Sequence, residues 1–144
     1  MSTCKNAHGQ CLCGEVSYTI KAEEPLRMAQ CHCKDCQRAS GVGHMALAFF
    51  NEDDVDFEGD PASYSVTADS GNTNTRLFCK TCGSRIGGKN TGRPGLIALT
   101  AGSIDDNAWF KPGAIVYAAM RPVWDNTSTE IPNFDKMPPA PPAA

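Results

Sequence analysis

The chain has no apolar run approaching the roughly 20 residues that a membrane-spanning helix requires. Its opening residues, Met1 to Gln10, are polar and hold no hydrophobic signal region. The expected location is therefore a reducing cytoplasm, where thiols stay reduced. Basic charge is short as well. With 13 Lys and Arg against 16 Asp and Glu, the formal net charge is −3, and no basic face is offered to a nucleic acid or an acidic membrane. The acidic stretch Asn51-Glu52-Asp53-Asp54-Val55-Asp56-Phe57 lacks the glycine and the closing glutamate of a calcium loop at their offsets, so it reads as a solvated turn. Repeats, linkers and a second compositional region are missing too. The 144 residues are expected to form one domain, 1–144, with loose tails at 1–9 and 136–144.

What the chain does have is cysteine, eight in all, seven of them in three tight groups. Cys11-Leu12-Cys13 comes first, Cys31-His32-Cys33-Lys34-Asp35-Cys36 second, and Cys79-Lys80-Thr81-Cys82 third. A C-x2-C step lets two sulfurs reach one tetrahedral ion at about 2.3 Å each. A C-x-C step does the same from a tight turn or a strand end. Metal ligation is the reading that accounts for all three groups; a redox or disulfide set, or thiols buried as small hydrophobes, is the competing one. Gly14 and Gly83 each follow a cysteine pair and permit the backbone of a metal knuckle.

Between these groups the pattern is that of short strands. Val16, Tyr18 and Ile20 alternate with polar residues, which predicts a half-buried strand. His44 to Phe50 is apolar throughout and predicts another. Strands are expected at 62–67, 73–78, 84–87, 96–100 and 114–118, with a hairpin turn at 69–72 and a glycine-rich loop from Gly88 to Gly95. Ser103 is a possible cap, and Trp124 is expected to pack over the core. The one short helix falls after Cys33 and is stopped by Gly41-Val42-Gly43. It places Cys33 and Cys36 on one side, near exposed N–H groups that favour negative sulfur.

Cys11, Cys13, Cys79 and Cys82 make four thiolates, the closed set of a structural zinc site. Cys31, Cys33 and Cys36 then remain as three ligands, which leave a fourth position for water or substrate, the mark of a catalytic site. A fourth protein ligand, with His32, His44 or Cys4 as candidates, would close the second site instead. Three leftover cysteines suit an iron–sulfur cluster poorly. Two Zn2+ per chain are therefore expected. A divalent ion carrying three thiolates is a weak Lewis acid that favours a soft ligand such as an incoming thiol.

The combined pattern Cys11-x-Cys13-Gly14, Cys31-His32-Cys33-x-x-Cys36 and Cys79-x-x-Cys82-Gly83-Ser84 resembles the glutathione-dependent formaldehyde-activating enzyme family, also called the centromere-protein-V/GFA domain. The resemblance runs from about Gln10 to about Phe134. It implies a mainly β, Mss4-like fold of short antiparallel strands pinned by zinc knuckles, with the same division of the seven cysteines. It implies a carbon–sulfur lyase that adds glutathione to formaldehyde to give an S-hydroxymethyl adduct, so the expected partners are a small-molecule thiol and an aldehyde. Glutathione carries two carboxylates; Arg38 is the first candidate to hold them, followed by Arg76 or Arg85. His44 or His32 is a candidate to move the proton. The alternatives are another zinc enzyme on the same scaffold, acting on a different thiol adduct or small electrophile, and a non-enzymatic, zinc-stabilised binding module.

Overall fold

The computed structural model of the chain describes residues 3–126, 132 and 134–136. Strands β1 (Ala7–Gln10), β2 (Ser17–Ile20) and β5 (Val55–Glu58) pair antiparallel in the order β1-β2-β5. The larger sheet has seven strands. In chain order they are β3 (Arg27–Cys31), β4 (Met45–Asn51), β6 (Ala62–Thr67), β7 (Thr73–Phe78), β8 (Arg85–Asn90), β9 (Leu96–Thr100) and β10 (Ala114–Val116). In space they run β10-β3-β4-β9-β8-β7-β6, antiparallel except where β10 lies parallel to β3. Helix α1 (Lys34–Ser40) lies between β3 and β4 and ends at Gly41. Mainly β with one short α-helix is the class expected.

The continuous apolar run of β4 reflects burial on both faces, because successive side chains of a strand point to opposite sides. Ala48 and Phe50 join the main core with Tyr18, Ile20, Val55, Ile86, Ile97, Leu99 and Ile104, which unites the two sheets. Phe49 faces the other way and packs with Ala29, Ala98 and Leu47 in a smaller cluster. This second face carries the cavity described below.

Several expectations require correction. Val55 to Phe57 belong not to a solvated turn but to β5, paired with β2, and the last strand stops at Val116 rather than Ala118. Residues 7–9 are not a loose leader: β1 pairs with β2 in register, Gly9 opposite Tyr18. A Cβ at Gly9 would collide with the Tyr18 ring, so the small residue is what lets this polar strand close on the core. Upstream of it Cys4 is only 1% exposed, its thiol 3.2 Å from the carbonyl of Ala22. The glycine-rich loop begins later than Gly88, because β8 continues to Asn90. Gly87 and Gly88 lie where the backbones of Ala98 and Thr75 approach too closely for a Cβ. Trp124 is 64% exposed, and Trp109 and Phe110 pack against the core in its place. Ser103 caps no helix; its hydroxyl bonds Thr100 O at 2.8 Å and meets the Tyr18 hydroxyl at 2.6 Å. The expected loose tail at 136–144 lies outside the described residues, apart from Lys136.

Candidate metal centres and the cavity beside one of them

The first knuckle sits in the turn from β1 to β2. Cys11 closes it with N–H bonds in both directions: its amide donates to Val16 O at 2.9 Å, and its sulfur accepts from the Val16 amide at 3.3 Å. The third cysteine pair repeats the device after β7, where the Gly83 amide donates to Cys79 O at 2.8 Å and the Cys79 amide to Ser84 O at 3.0 Å. Gly14 and Gly83 have φ of 84° and 78°, the left-handed backbone that glycine adopts without steric cost. Ser84 stitches the two turns together. Its hydroxyl accepts from the Leu12 amide at 2.9 Å and lies 3.2 Å from Cys82 Sγ. That hydrogen bond is the main reason the Cys82 thiol is drawn down to about 5.

Cys11, Cys13, Cys79 and Cys82 bring their sulfurs within 4.8 Å of one another. Cys11–Cys13 and Cys13–Cys79 separations are 3.6 Å and 3.7 Å. The edge of a tetrahedron with metal–sulfur bonds of about 2.3 Å is about 3.8 Å, so these residues fit a tetrahedral ion.

Cys31, Cys33 and Cys36 form a second group within the same limit. Cys31 ends β3, Cys33 caps α1, and Cys36 lies in its first turn. The Cys36 amide donates to Cys33 Sγ at 3.3 Å. The hydrogen bond between Cys36 and Cys31 dominates the titration of both. It lowers the Cys31 thiol to about 6 against the opposing effect of burial, and together with burial it pushes the Cys36 thiol far up. Three thiols this close share protons rather than ionise together. Full ionisation requires a cation among them, which is the chemistry of a metal-binding donor set.

Among the described residues no further His, Cys, Asp or Glu joins this trio. None of the three candidates for a fourth ligand groups with it. Cys4 lies against Ala22. His32 Nδ1 is 2.7 Å from Gly43 O; a carbonyl only accepts, so this nitrogen is the donor and the lone pair sits on Nε2, which is buried without a hydrogen-bond partner but does not group with the three thiols. His44 Nδ1 bonds Asp125 Oδ2 at 2.7 Å, with His32 Nδ1 3.3 Å from the same oxygen. His32, His44 and Asp125 thus gather closely enough to be considered a separate metal set, and the His44–Asp125 hydrogen bond fastens the segment after β10. More bonds hold that segment: the His32 amide donates to Val116 O at 3.0 Å, and Gln37 Nε2 reaches both His32 O at 2.9 Å and Met120 O at 3.1 Å.

A cavity of about 400 Å³ opens over Cys31, Cys33 and Cys36. Its apolar side is Phe49 with Leu47 and Ala98, and Tyr117 and Met120 line it from the fastened segment. Neither His32 nor His44 lines it, and neither does Arg38, which is exposed. Of the arginines named from the sequence, Arg76 does line it, with Nη2 3.8 Å from Cys36 Sγ. Arg85 does not; it donates to Ala39 O at 3.1 Å. Arg27 and Arg93 line it and were missed. The signal that could have found Arg27 is its placement four residues before Cys31 on an extended segment, hence on the same strand face. For Arg93, distant in sequence, there was none.

A family model described as glutathione-dependent formaldehyde-activating enzyme matches residues 6–120. The match takes in β1 and stops before Trp124 and Phe134, both within the span of the expected resemblance. A crystal structure of a Rhodobacter sphaeroides protein is similar, with 18% identity over 75% of this chain and 98% of that one and a TM-score of 0.57; a likeness at that level is one of fold. No curated protein matches the chain. No helix among the described residues is long and apolar enough to cross a membrane.

Proposed function

We infer the reaction from one premise: this chain belongs to the glutathione-dependent formaldehyde-activating enzyme family. The proposed activity is the addition of a thiol, glutathione or one like it, to formaldehyde or a related small aldehyde. Cys11, Cys13, Cys79 and Cys82 would hold one Zn2+ and serve the fold. Cys31, Cys33 and Cys36 would hold the second and serve the chemistry. The observation that carries this reading is that three clustered thiols without a fourth described protein ligand lie in the lining of a 400 Å³ cavity.

Zinc bound there would supply Lewis acidity, lowering the pKa of an incoming thiol or polarising a carbonyl. The chain's own residues do the rest. Cys33 is held by the Cys36 amide, which fixes the direction of one donor. Arg76, 3.8 Å from Cys36 Sγ, offsets negative charge that three thiolates concentrate. Phe49, Leu47 and Ala98 make one side of the site apolar, which favours a thiolate–carbonyl encounter over competing hydration. In the addition, the sulfur–carbon bond forms, the carbonyl π bond opens, and the oxygen takes up the proton released by the thiol. Tyr117 lines the cavity, and its hydroxyl would be the donor for that oxygen.

The test is adduct formation from glutathione and formaldehyde, followed by NMR above the uncatalysed rate. Zinc-loaded protein should accelerate it, chelator-stripped protein should not, and zinc should restore the rate. Absence of acceleration in the loaded protein removes the assignment.

A further inference from the structure

The cavity holds more positive charge than the chain neutralises. Five basic side chains and two acids line it. Lys89 is paired with Glu52, yet no ion pair among the described residues includes Arg27, Arg76 or Arg93. Arg27 and Arg93 are also drawn together. Their guanidinium carbons lie 4.6 Å and 5.3 Å from the centroid of the same Phe49 ring. Burial, followed by the charge of Arg27, lowers the Arg93 pKa against an opposing pull from Cys31.

Two guanidiniums against one ring repel each other, while the ring face orients each without using any of its N–H donors. A carboxylate placed against both would relieve the repulsion and accept the free N–H forks, the geometry in which arginine outperforms lysine. We propose that Arg27, Phe49 and Arg93 form a carboxylate subsite that selects acidic, peptide-length thiols over neutral ones. This rests on the thiol-addition reading for its purpose, though not for its geometry.

The register sets the length of the ligand. Arg27 and Cys31 are the two ends of β3, on the same strand face, and four residues of strand span about 13 Å. That is a span between Cα atoms, shortened by the reach of the arginine side chains to the Phe49 ring, and it favours a thiol whose carboxylate lies several bonds from its sulfur over one whose carboxylate sits next to it. A carboxylate across an intervening peptide unit meets that condition. The subsite thus places the anionic end of the ligand at Phe49 and its sulfur at the cysteine trio. Arg76, at the trio itself, belongs to the other end of the cavity.

The experiment uses S-methylglutathione, which has no free thiol, and its diethyl ester, which has no free carboxylate. Binding of each to the zinc-loaded protein is measured by calorimetry for wild type, R27Q, R93Q, R27Q/R93Q and the control R38Q. Wild type and R38Q should bind the acid at least about 10-fold more tightly than the ester. R27Q/R93Q should bind the two alike, with circular dichroism unchanged. Equal binding of acid and ester by wild type, no binding of the acid, or a preference that survives in R27Q/R93Q or disappears in R38Q overturns the subsite. Because the probe cannot react, failure of the addition reaction is read separately, from glutathione turnover.

Discussion

The two cysteine groups use the same ligand type in opposite surroundings. Cys11 and Cys79 are buried and Cys13 is exposed; backbone turns hold Cys11 and Cys79 and Ser84 meets Cys82, and none of the four lines the cavity. Cys31, Cys33 and Cys36 do line it, beside Arg76. The first group joins the small sheet to the β7–β8 hairpin across 66 residues of sequence. The second spans only one strand end and the first turn of a helix. A metal at the first would cross-link the fold, and a metal at the second would be a local fitting open to ligands. The number of sulfurs is thus only part of the difference; what each group ties together is the rest.

The sharpest way to break the comparison is Cys79→Ser. Structural zinc sites contribute roughly 10–16 kcal/mol in small zinc domains, more than most domains have in total stability. The expected outcome is loss of the cooperative melt and of both metals by elemental analysis. A folded Cys79→Ser protein with one metal would show that the two groups are alike in function.

Cys36→Ser should have the next largest effect, and on a different quantity. Metal content should fall by one per chain, turnover by about 100-fold or more, and the melting curve should move little. Equal destabilisation by Cys36→Ser and Cys79→Ser would remove the distinction drawn between them.

Acidity should separate the groups next. The Cys31 thiol titrates at about 6, while the Cys33 and Cys36 thiols are raised. Between about pH 6 and 8, metal binding at this group therefore displaces the Cys33 and Cys36 protons. Protons compete with the ion, so affinity falls as pH falls, by about 100-fold per pH unit for two protons and more steeply below about 6. The four-thiol group also holds a raised thiol, Cys13, at about 12, so the separation rests on its fourth ligand: titration against a chromogenic chelator should show the three-thiol group emptying at higher pH. Simultaneous release would contradict it.

The smallest effect is expected from Asp125→Ala, which unties His44 from the segment carrying Tyr117 and Met120. Loss of this hydrogen bond should cost about 1–3 kcal/mol by denaturant melt. Turnover should suffer mainly through KM, because the segment lines the cavity without holding the ion.

Much of this was legible in the residues. Strands 62–67, 73–78 and 96–100 coincide with β6, β7 and β9 because turn residues bound them, with 96–100 further marked by its apolar run Leu96-Ile97-Ala98-Leu99. Both knuckles follow from cysteine–glycine spacing. β1, β3 and β5 were harder: β1 and β5 alternate in burial but are only four residues long, too short for their period to stand out, and β3 does not alternate; neighbouring strands complete their hydrogen bonds. Arg38 drew attention by lying two residues from Cys36 in sequence, but the helix turns it outward. Arg93 reaches the cavity from beyond β8, brought there by the folding of the larger sheet.

Ligand chemistry is a property of residue type and short spacing, so the sequence alone divided seven cysteines into a set of four and a set of three. Which charges surround each set depends on contacts between residues dozens of positions apart. Only the tertiary structure could engage His32 and His44 with Gly43 and Asp125 and place Arg27 and Arg93 against Phe49. The strand face a side chain occupies, and the partner it meets there, are decided by pairing register rather than by its sequence neighbours.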